Sequence, residues 1–123
     1  MAADEQLKRF ISSSFSSVWA LEVLLHLKAA DRAQSGSELI ATLRASELVI
    51  ERSVDELVAA GLALRDDHGG IAYQPVSPTV GEQVLQTEAL YRRRPDMVRR
   101  LIVSRASQSL STFANAFRLR KDE

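Results

Sequence analysis

The spacing of apolar residues changes at Gly61, and this change limits the folds open to the chain. Before Gly61, apolar side chains recur every three or four residues, which predicts helices. After it, two short extended runs, 62–65 and 71–74, flank a five-residue loop of turn-forming residues, which predicts a small β-hairpin. The sequence therefore predicts a mainly α fold with one small hairpin near its middle.

Serine residues precede the helical patterns before Gly61. Serine is a favoured N-cap because its hydroxyl accepts a hydrogen bond from the first turn. Glu38 follows Ser35 by three residues, the spacing of a capping box, in which the carboxylate reaches back to the cap. Residues 31–34 read as a short polar connection. The candidate N-caps are Ser16 or Ser17, Ser35 and Ser46.

Further helices are predicted on both sides of this central segment. A leading helix precedes residue 18, and Ser77 or Thr79 can begin a helix that runs to Arg94. Pro95 suits the first turn of the next helix, and a last helix is predicted around Phe113. We expect a single domain over 1–123, with an N-terminal helix (1–17), a central unit (18–76) and basic C-terminal helices (77–123).

The composition excludes several classes of site. The chain has 123 residues and no cysteine, which excludes disulfides, cysteine-ligated metals and thiol catalysis. We find no Gly-rich phosphate loop, nucleophile elbow or paired-histidine zinc motif, so we expect no enzyme activity, cofactor or metal. The N-terminal residues lack the layout of a signal peptide, and no stretch approaches the roughly 18 apolar residues of a membrane span. We therefore expect a cytoplasmic protein.

The net charge of zero conceals two halves of opposite sign. Residues 1–90 carry seven basic and thirteen acidic side chains, a net charge of −6. Residues 91–123 carry nine basic and three acidic side chains, a net charge of +6. The basic half allows contacts with phosphates, although the same arginines can instead pair with the acidic half.

In the segment 18–76, three predicted helices, the last two joined by a very tight turn at 45–46, are followed at once by a hairpin. Within it, the end of the third helix and the hairpin carry Leu57, Ala60, Gly61, Leu62, Arg65, Gly69, Gly70 and Tyr73. In this order of elements and in these residues, the segment resembles the winged helix-turn-helix of small bacterial transcription regulators of the MarR, PadR and ArsR kinds.

The resemblance implies that the third helix of this unit enters the major groove of duplex DNA and that the hairpin lies beside it. Arginines of the following helix would supply phosphate contacts. The predicted DNA contacts are Ser46, Glu47, Leu48, Val49, Arg52 and Ser53 on the third helix, Arg44 before it, Arg65 and His68 on the hairpin, and Arg92, Arg93 and Arg94 on the following helix.

The acidity of the third helix departs from this pattern. It carries four acidic side chains against Arg52 alone, a net charge of −3 on the element that should approach phosphates. An alternative is a protein-interaction module, whose partner protein would contact the acidic helix Glu47–Glu56 without tight DNA binding.

Apolar residues near both ends of the chain exceed what a core of about 60 residues would bury, and such a face usually meets a partner. The resembled regulators form two-fold dimers through terminal helices. We therefore predict a homodimer, with a compact monomer whose terminal helices fold back as the alternative. The predicted dimer contacts are Leu7, Phe10, Ile11, Leu101, Ile102, Phe113 and Phe117.

Overall fold

The computed structural model describes residues 2–104, with side chains described for residues 4–104. The chain is mainly helical with one two-stranded antiparallel sheet, as predicted. The predicted last helix, with Phe113 and Phe117, lies outside the described residues. The elements are α1 (Ala2–Ser14), α2 (Val18–Ala30), α3 (Gly36–Leu43), α4 (Glu47–Ala59), β1 (Ala63–Arg65), β2 (Ile71–Tyr73), α5 (Pro78–Arg93) and α6, of which residues 95–104 are described.

Four helices begin at a serine cap. In each, the serine hydroxyl accepts a hydrogen bond from the backbone N–H three residues later, and these serines are Ser17, Ser35, Ser46 and Ser77. The predicted caps are therefore confirmed. The predicted second hydrogen bond of the capping box, in which the Glu38 carboxylate reaches back to the cap, is wrong. That carboxylate instead accepts a hydrogen bond from Arg32 at 2.9 Å.

Gly61 ends the α4 segment, as predicted. Its backbone has φ +76°, which favours glycine, and a Cβ there would lie 3.1 Å from Val76 Cγ1. The N–H of Leu62 donates to the carbonyl of Leu57 at 2.9 Å, which closes the end of the helix. The chain therefore passes from the end of α4 directly into β1.

The two strands pair antiparallel, with Leu64 opposite Ala72. Gln34 extends this sheet: its N–H donates to the carbonyl of Ile71 at 2.8 Å and its carbonyl accepts from the N–H of Ile71 at 2.7 Å. Gln34 is buried. The interpretation of residues 31–34 as a simple polar connection is thus incomplete, because Gln34 fastens the hairpin to the segment between α2 and α3.

Helix α2 lies at the centre of the core. Its buried leucines, Leu21, Leu24 and Leu27, belong to one hydrophobic cluster with residues from the other helices and both strands. Helix α4 packs against α2 and α3, while α5 packs against α1. Within the described residues, no single helix is long and apolar enough to cross a membrane.

The terminal helices pack against the chain's own core. Ile11 of α1 and Ile102 of α6 are fully buried, so their prediction as dimer contacts is wrong. The apolar stripe of each helix covers this chain's own core, and no surface of either side chain remains for a second copy. Leu7, Phe10 and Leu101 are partly buried against the same core.

Candidate nucleic-acid interface

Helix α4 has one buried side and one exposed side. Ile50, Val54 and Leu57 anchor the buried side in the core. On the opposite side Leu48 keeps 55% of its surface exposed. The exposed residues of α4 between positions 47 and 55 are Glu47, Leu48, Glu51, Arg52 and Asp55.

Ser53 does not belong to the exposed side. It is 3% exposed and lies among the anchoring residues of α4, so it cannot contact base edges as predicted. Ser46 is exposed, and its hydroxyl accepts from the N–H of Val49 at 3.2 Å, so Ser46 caps the helix. Val49 is half-buried. Of the predicted contacts on this helix, Glu47, Leu48 and Arg52 therefore present the most accessible side chains.

The charges around α4 are more balanced than the sequence of the helix implies. Arg65 of β1 lies 2.7 Å from an Asp55 carboxylate oxygen. Glu56 accepts hydrogen bonds from the Ser16 backbone N–H and, at 2.7 Å, from the Ser16 hydroxyl. Glu56 is thus engaged at the corner between α1 and α2. Beside the exposed side of α4, Arg44, Arg52 and Arg65 stand against Glu47, Glu51 and Asp55, and the exposed hairpin tip adds Asp66 and Asp67.

An open depression of about 450 Å³ separates α4 from the hairpin. Glu51 and Asp55 line it on the α4 side, and Arg65 lines it on the hairpin side. Its floor is apolar, with Ile50 and Ile71. Two carboxylates and one already paired guanidinium therefore face this depression.

The hairpin tip is ordered by Asp66. One oxygen of its carboxylate accepts from the N–H of His68 at 2.8 Å and from the N–H of Gly70 at 2.7 Å. A Cβ at Gly70 would lie 2.5 Å from the other carboxylate oxygen, so only glycine leaves room for this arrangement. The tip holds His68 on the exposed surface, as predicted, but Asp66 serves the turn rather than a ligand.

We expect the hairpin tip to loosen in acid. The N–H groups of Gly70 and then His68 hold the pKa of Asp66 below its ordinary value of 3.8. A lowered pKa means that the carboxylate stabilises the turn above pH 3.8 and that this contribution is lost as the pH falls through the folded-state pKa. An NMR titration should show the Gly70 and His68 amide shifts moving together with a midpoint below 3.8, and Asp66→Asn should abolish that step. A midpoint at or above 3.8 would contradict the hydrogen bonds.

The predicted phosphate-binding arginines of α5 lie elsewhere. Arg92 is 3.3 Å from Glu88 of the same helix. Arg93 and Arg94 line a groove beside α1, together with Lys8. Lys8 was not among the predicted contacts. The sequence feature that could have indicated it is its position one residue after Leu7 in an amphipathic helix.

The contacts of α2 separate these arginines from the start of α4. The Tyr91 hydroxyl donates to Glu22 at 2.5 Å, which places the end of α5 near the first turns of α2. Glu56 contacts Ser16, just before α2, so the second half of α4 lies at that same end. Ser46 is roughly 15 Å further along α4, at about 1.5 Å per residue. The described contacts therefore do not bring Arg92, Arg93 or Arg94 together with the first turns of α4.

Comparison with protein-family models, curated proteins and solved structures finds no match to this chain. The roles of its residues are therefore argued from their geometry and charge. Two surfaces stand out in the described part of the chain: the exposed side of α4 with the hairpin, and the groove beside α1.

Proposed function

We propose that the chain is a winged helix-turn-helix protein that binds duplex DNA through α4 and regulates transcription. The observation that carries the proposal is the two-sided α4: its buried side is anchored in the core, and its first turns project Leu48 and Arg52 outward. A helix presented in this way, after a tight turn from α3 and beside a hairpin, can lie in the major groove with its N-terminal residues toward the bases.

The chemistry of the exposed side supports base contacts more than general attraction to phosphates. Arg52 can donate two hydrogen bonds to guanine, Leu48 can contact a thymine methyl group, and Glu47 can accept from cytosine. Three cations stand against three acids beside α4, and Asp66 and Asp67 of the hairpin tip add further negative charge, so no positive charge remains to attract duplex of any sequence. We therefore expect weak non-specific binding and a clear preference for a short target sequence.

This function has two further consequences. We propose that the protein acts in the cytoplasm. Binding two half-sites one duplex turn apart would also require a homodimer. Of the predicted dimer contacts on described residues, Phe10 and Leu101 keep some exposed surface that a second copy could use, whereas Leu7 lines the groove beside α1.

Arg52→Ala is expected to weaken binding to the preferred sequence by about 1–3 kcal/mol and to leave binding to a scrambled duplex nearly unchanged. The reason is that Arg52 reads base edges under this proposal. A duplex enriched from a random library by the wild-type protein is titrated by fluorescence anisotropy, beside a scrambled duplex of equal composition.

Arg100→Ala is the matched control, because Arg100 is an exposed arginine on α6 and belongs neither to α4 nor to the hairpin. It should leave the preference intact. Failure to enrich any sequence, or absence of duplex binding even at low salt, would overturn the proposal. An equal loss of affinity for both duplexes on Arg52→Ala would reassign Arg52 to a phosphate.

A second candidate function is a surface for a basic protein partner. The depression between α4 and the hairpin favours it, since Glu51 lies beside its apolar floor and forms no ion pair within residues 4–104, while Asp55 and Arg65 are paired with each other. The same titrations separate the two functions when an arginine-rich peptide replaces the duplex. A chain that binds this peptide but no duplex, and loses the peptide on Glu51→Lys, is an interaction module.

A further inference from the structure

A groove of about 680 Å³ runs between α1, the end of α5 and the start of α6. Its apolar lining includes Leu7 of α1, Leu90 of α5 and Met97 of α6. Lys8, Arg93 and Arg94 also line the groove, with Asp4 as the acidic residue among its lining side chains. Three cations against one acid give this groove an excess of positive charge.

Arg93 and Arg94 of the groove differ from the adjacent Arg92, which forms an ion pair. Arg92 and Lys28 both contact Glu88, on the side of α5 that faces α2. Within residues 4–104, no ion pair involves Arg93 or Arg94. Their guanidinium groups are therefore available to a ligand in the groove.

The groove continues along α5 away from the arginines. A second depression of about 410 Å³ shares Leu7 and Gln86 with it and reaches Pro78 and Glu82 at the start of α5. The combined groove is elongated, with Lys8, Arg93 and Arg94 beside Asp4 in one part and Glu82 in the other. The excess of positive charge in the first part indicates where an anionic group would bind.

We propose that this groove binds an amphiphilic carboxylate, a ligand with one anionic head and an elongated apolar body. The head lies between Arg93, Arg94 and Lys8, where guanidinium groups form strong charge-assisted hydrogen bonds with carboxylates. The apolar body covers Leu7, Leu90 and Met97. The volume of the groove is within the roughly 300–1,000 Å³ of small-molecule sites.

The apolar lining argues for an amphiphile rather than for a nucleic-acid backbone. Phosphates offer negative charge but no apolar body to place against Leu90 and Met97. The groove is also not brought together with the first turns of α4, so its ligand can be tested without DNA. Failure of the DNA-binding proposal and failure of this one are thus distinguishable.

The probe is sodium decanoate, titrated into the full chain by isothermal calorimetry below its micelle concentration. Decyltrimethylammonium, with the same chain and a cationic head, serves as the comparison. We expect decanoate to bind once per chain and the cationic surfactant to bind at least tenfold more weakly. Arg93→Gln and Arg94→Gln should each weaken decanoate binding roughly tenfold, and Arg100→Gln, outside the groove, should leave it unchanged.

A second variant tests the apolar body independently of charge. Ala89 is exposed in the groove, so Ala89→Trp should fill it and reduce decanoate binding at least tenfold. Ala41→Trp on the exposed surface of α3 is the matched control, and circular dichroism checks that both variants fold.

Four outcomes would overturn the proposal. The first is equal affinity for both surfactants, which would mean that the cations do not select the ligand. The second is decanoate binding that Ala89→Trp leaves unchanged, which would place the ligand elsewhere. The third is a dimer, seen by sedimentation, that Ala89→Trp dissociates, because the groove would then hold a second copy. The fourth is displacement of decanoate by duplex DNA, which would make the groove a phosphate site.

Discussion

Replacing Ile102 with Ala is expected to lower the free energy of unfolding by about 2–5 kcal/mol. Ile102 is fully buried and shares one hydrophobic cluster with Ile11 and Leu24. The substitution removes buried methyl groups and leaves a cavity in a core that α6 helps to close. Urea denaturation of the wild-type and variant chains, followed by circular dichroism at several protein concentrations, measures the change.

Val103→Ala is the matched control, since Val103 is the next residue on the same helix but is 56% exposed. It should change the free energy of unfolding by no more than about 0.5 kcal/mol. The variants also separate the two arrangements considered for the terminal helices. If the unfolding midpoint of the wild-type chain depended on protein concentration and that of Ile102→Ala did not, Ile102 would be a contact between two copies rather than part of this chain's core.

Leu57→Ala and Leu48→Ala, two substitutions in α4, should affect different properties of the chain, its stability in the first case and its duplex binding in the second. Leu57 is fully buried, so its truncation should cost about 2–5 kcal/mol of unfolding free energy. Leu48 is 55% exposed, so its truncation should cost no more than about 0.5 kcal/mol. Under the DNA-binding proposal, Leu48→Ala should instead weaken binding to the preferred duplex by roughly tenfold.

Denaturation and duplex titration of both variants check this pair. The folded fraction of Leu57→Ala, once its stability is taken into account, should keep the wild-type duplex affinity. A large loss of stability for Leu48→Ala would contradict the exposure of its side chain. An unchanged duplex affinity for Leu48→Ala would remove Leu48 from the proposed interface.

The start and end of the helices could be predicted because they depend on neighbours a few residues apart. Ser46 caps α4 through an N–H three residues later, and Gly61 ends the segment because its own backbone takes a positive φ. The hairpin could be predicted for the same reason, because turn-forming residues separate two extended runs that are close together in the sequence. Such features are visible in any sequence window of about six residues.

Ser53 shows an error that the spacing could have prevented. Positions 50, 53, 54 and 57 recur at intervals of three, one and three, which is the stripe of one helix face. The resemblance implies a DNA contact for Ser53, although its position in this stripe places it with the buried residues. Periodicity is the better guide here than the resemblance.

The partners of the charged side chains and the packing of the terminal helices depend on contacts between residues far apart in the sequence, which no local pattern contains. Asp55 meets Arg65 across the gap between α4 and β1, and Glu56 meets Ser16 at the corner before α2. An apolar stripe such as that of Ile11 also looks the same whether it covers its own core or a second copy. The buried and exposed sides of α4 could thus be predicted from sequence, whereas the partners of its acidic side chains required the tertiary structure.

The bridge between Gln34 and Ile71 has a consequence for the order of folding. Each strand of the hairpin has only three residues, and an isolated two-stranded hairpin is at best marginally stable in water. Its additional pairing with Gln34 spans all of α3 and α4, so closing this loop carries an entropic cost that a local turn does not. We expect α2, α3 and α4 to condense first and the sheet to form on them afterwards. The surface that would face DNA is therefore completed by one of the last steps in the folding of this chain.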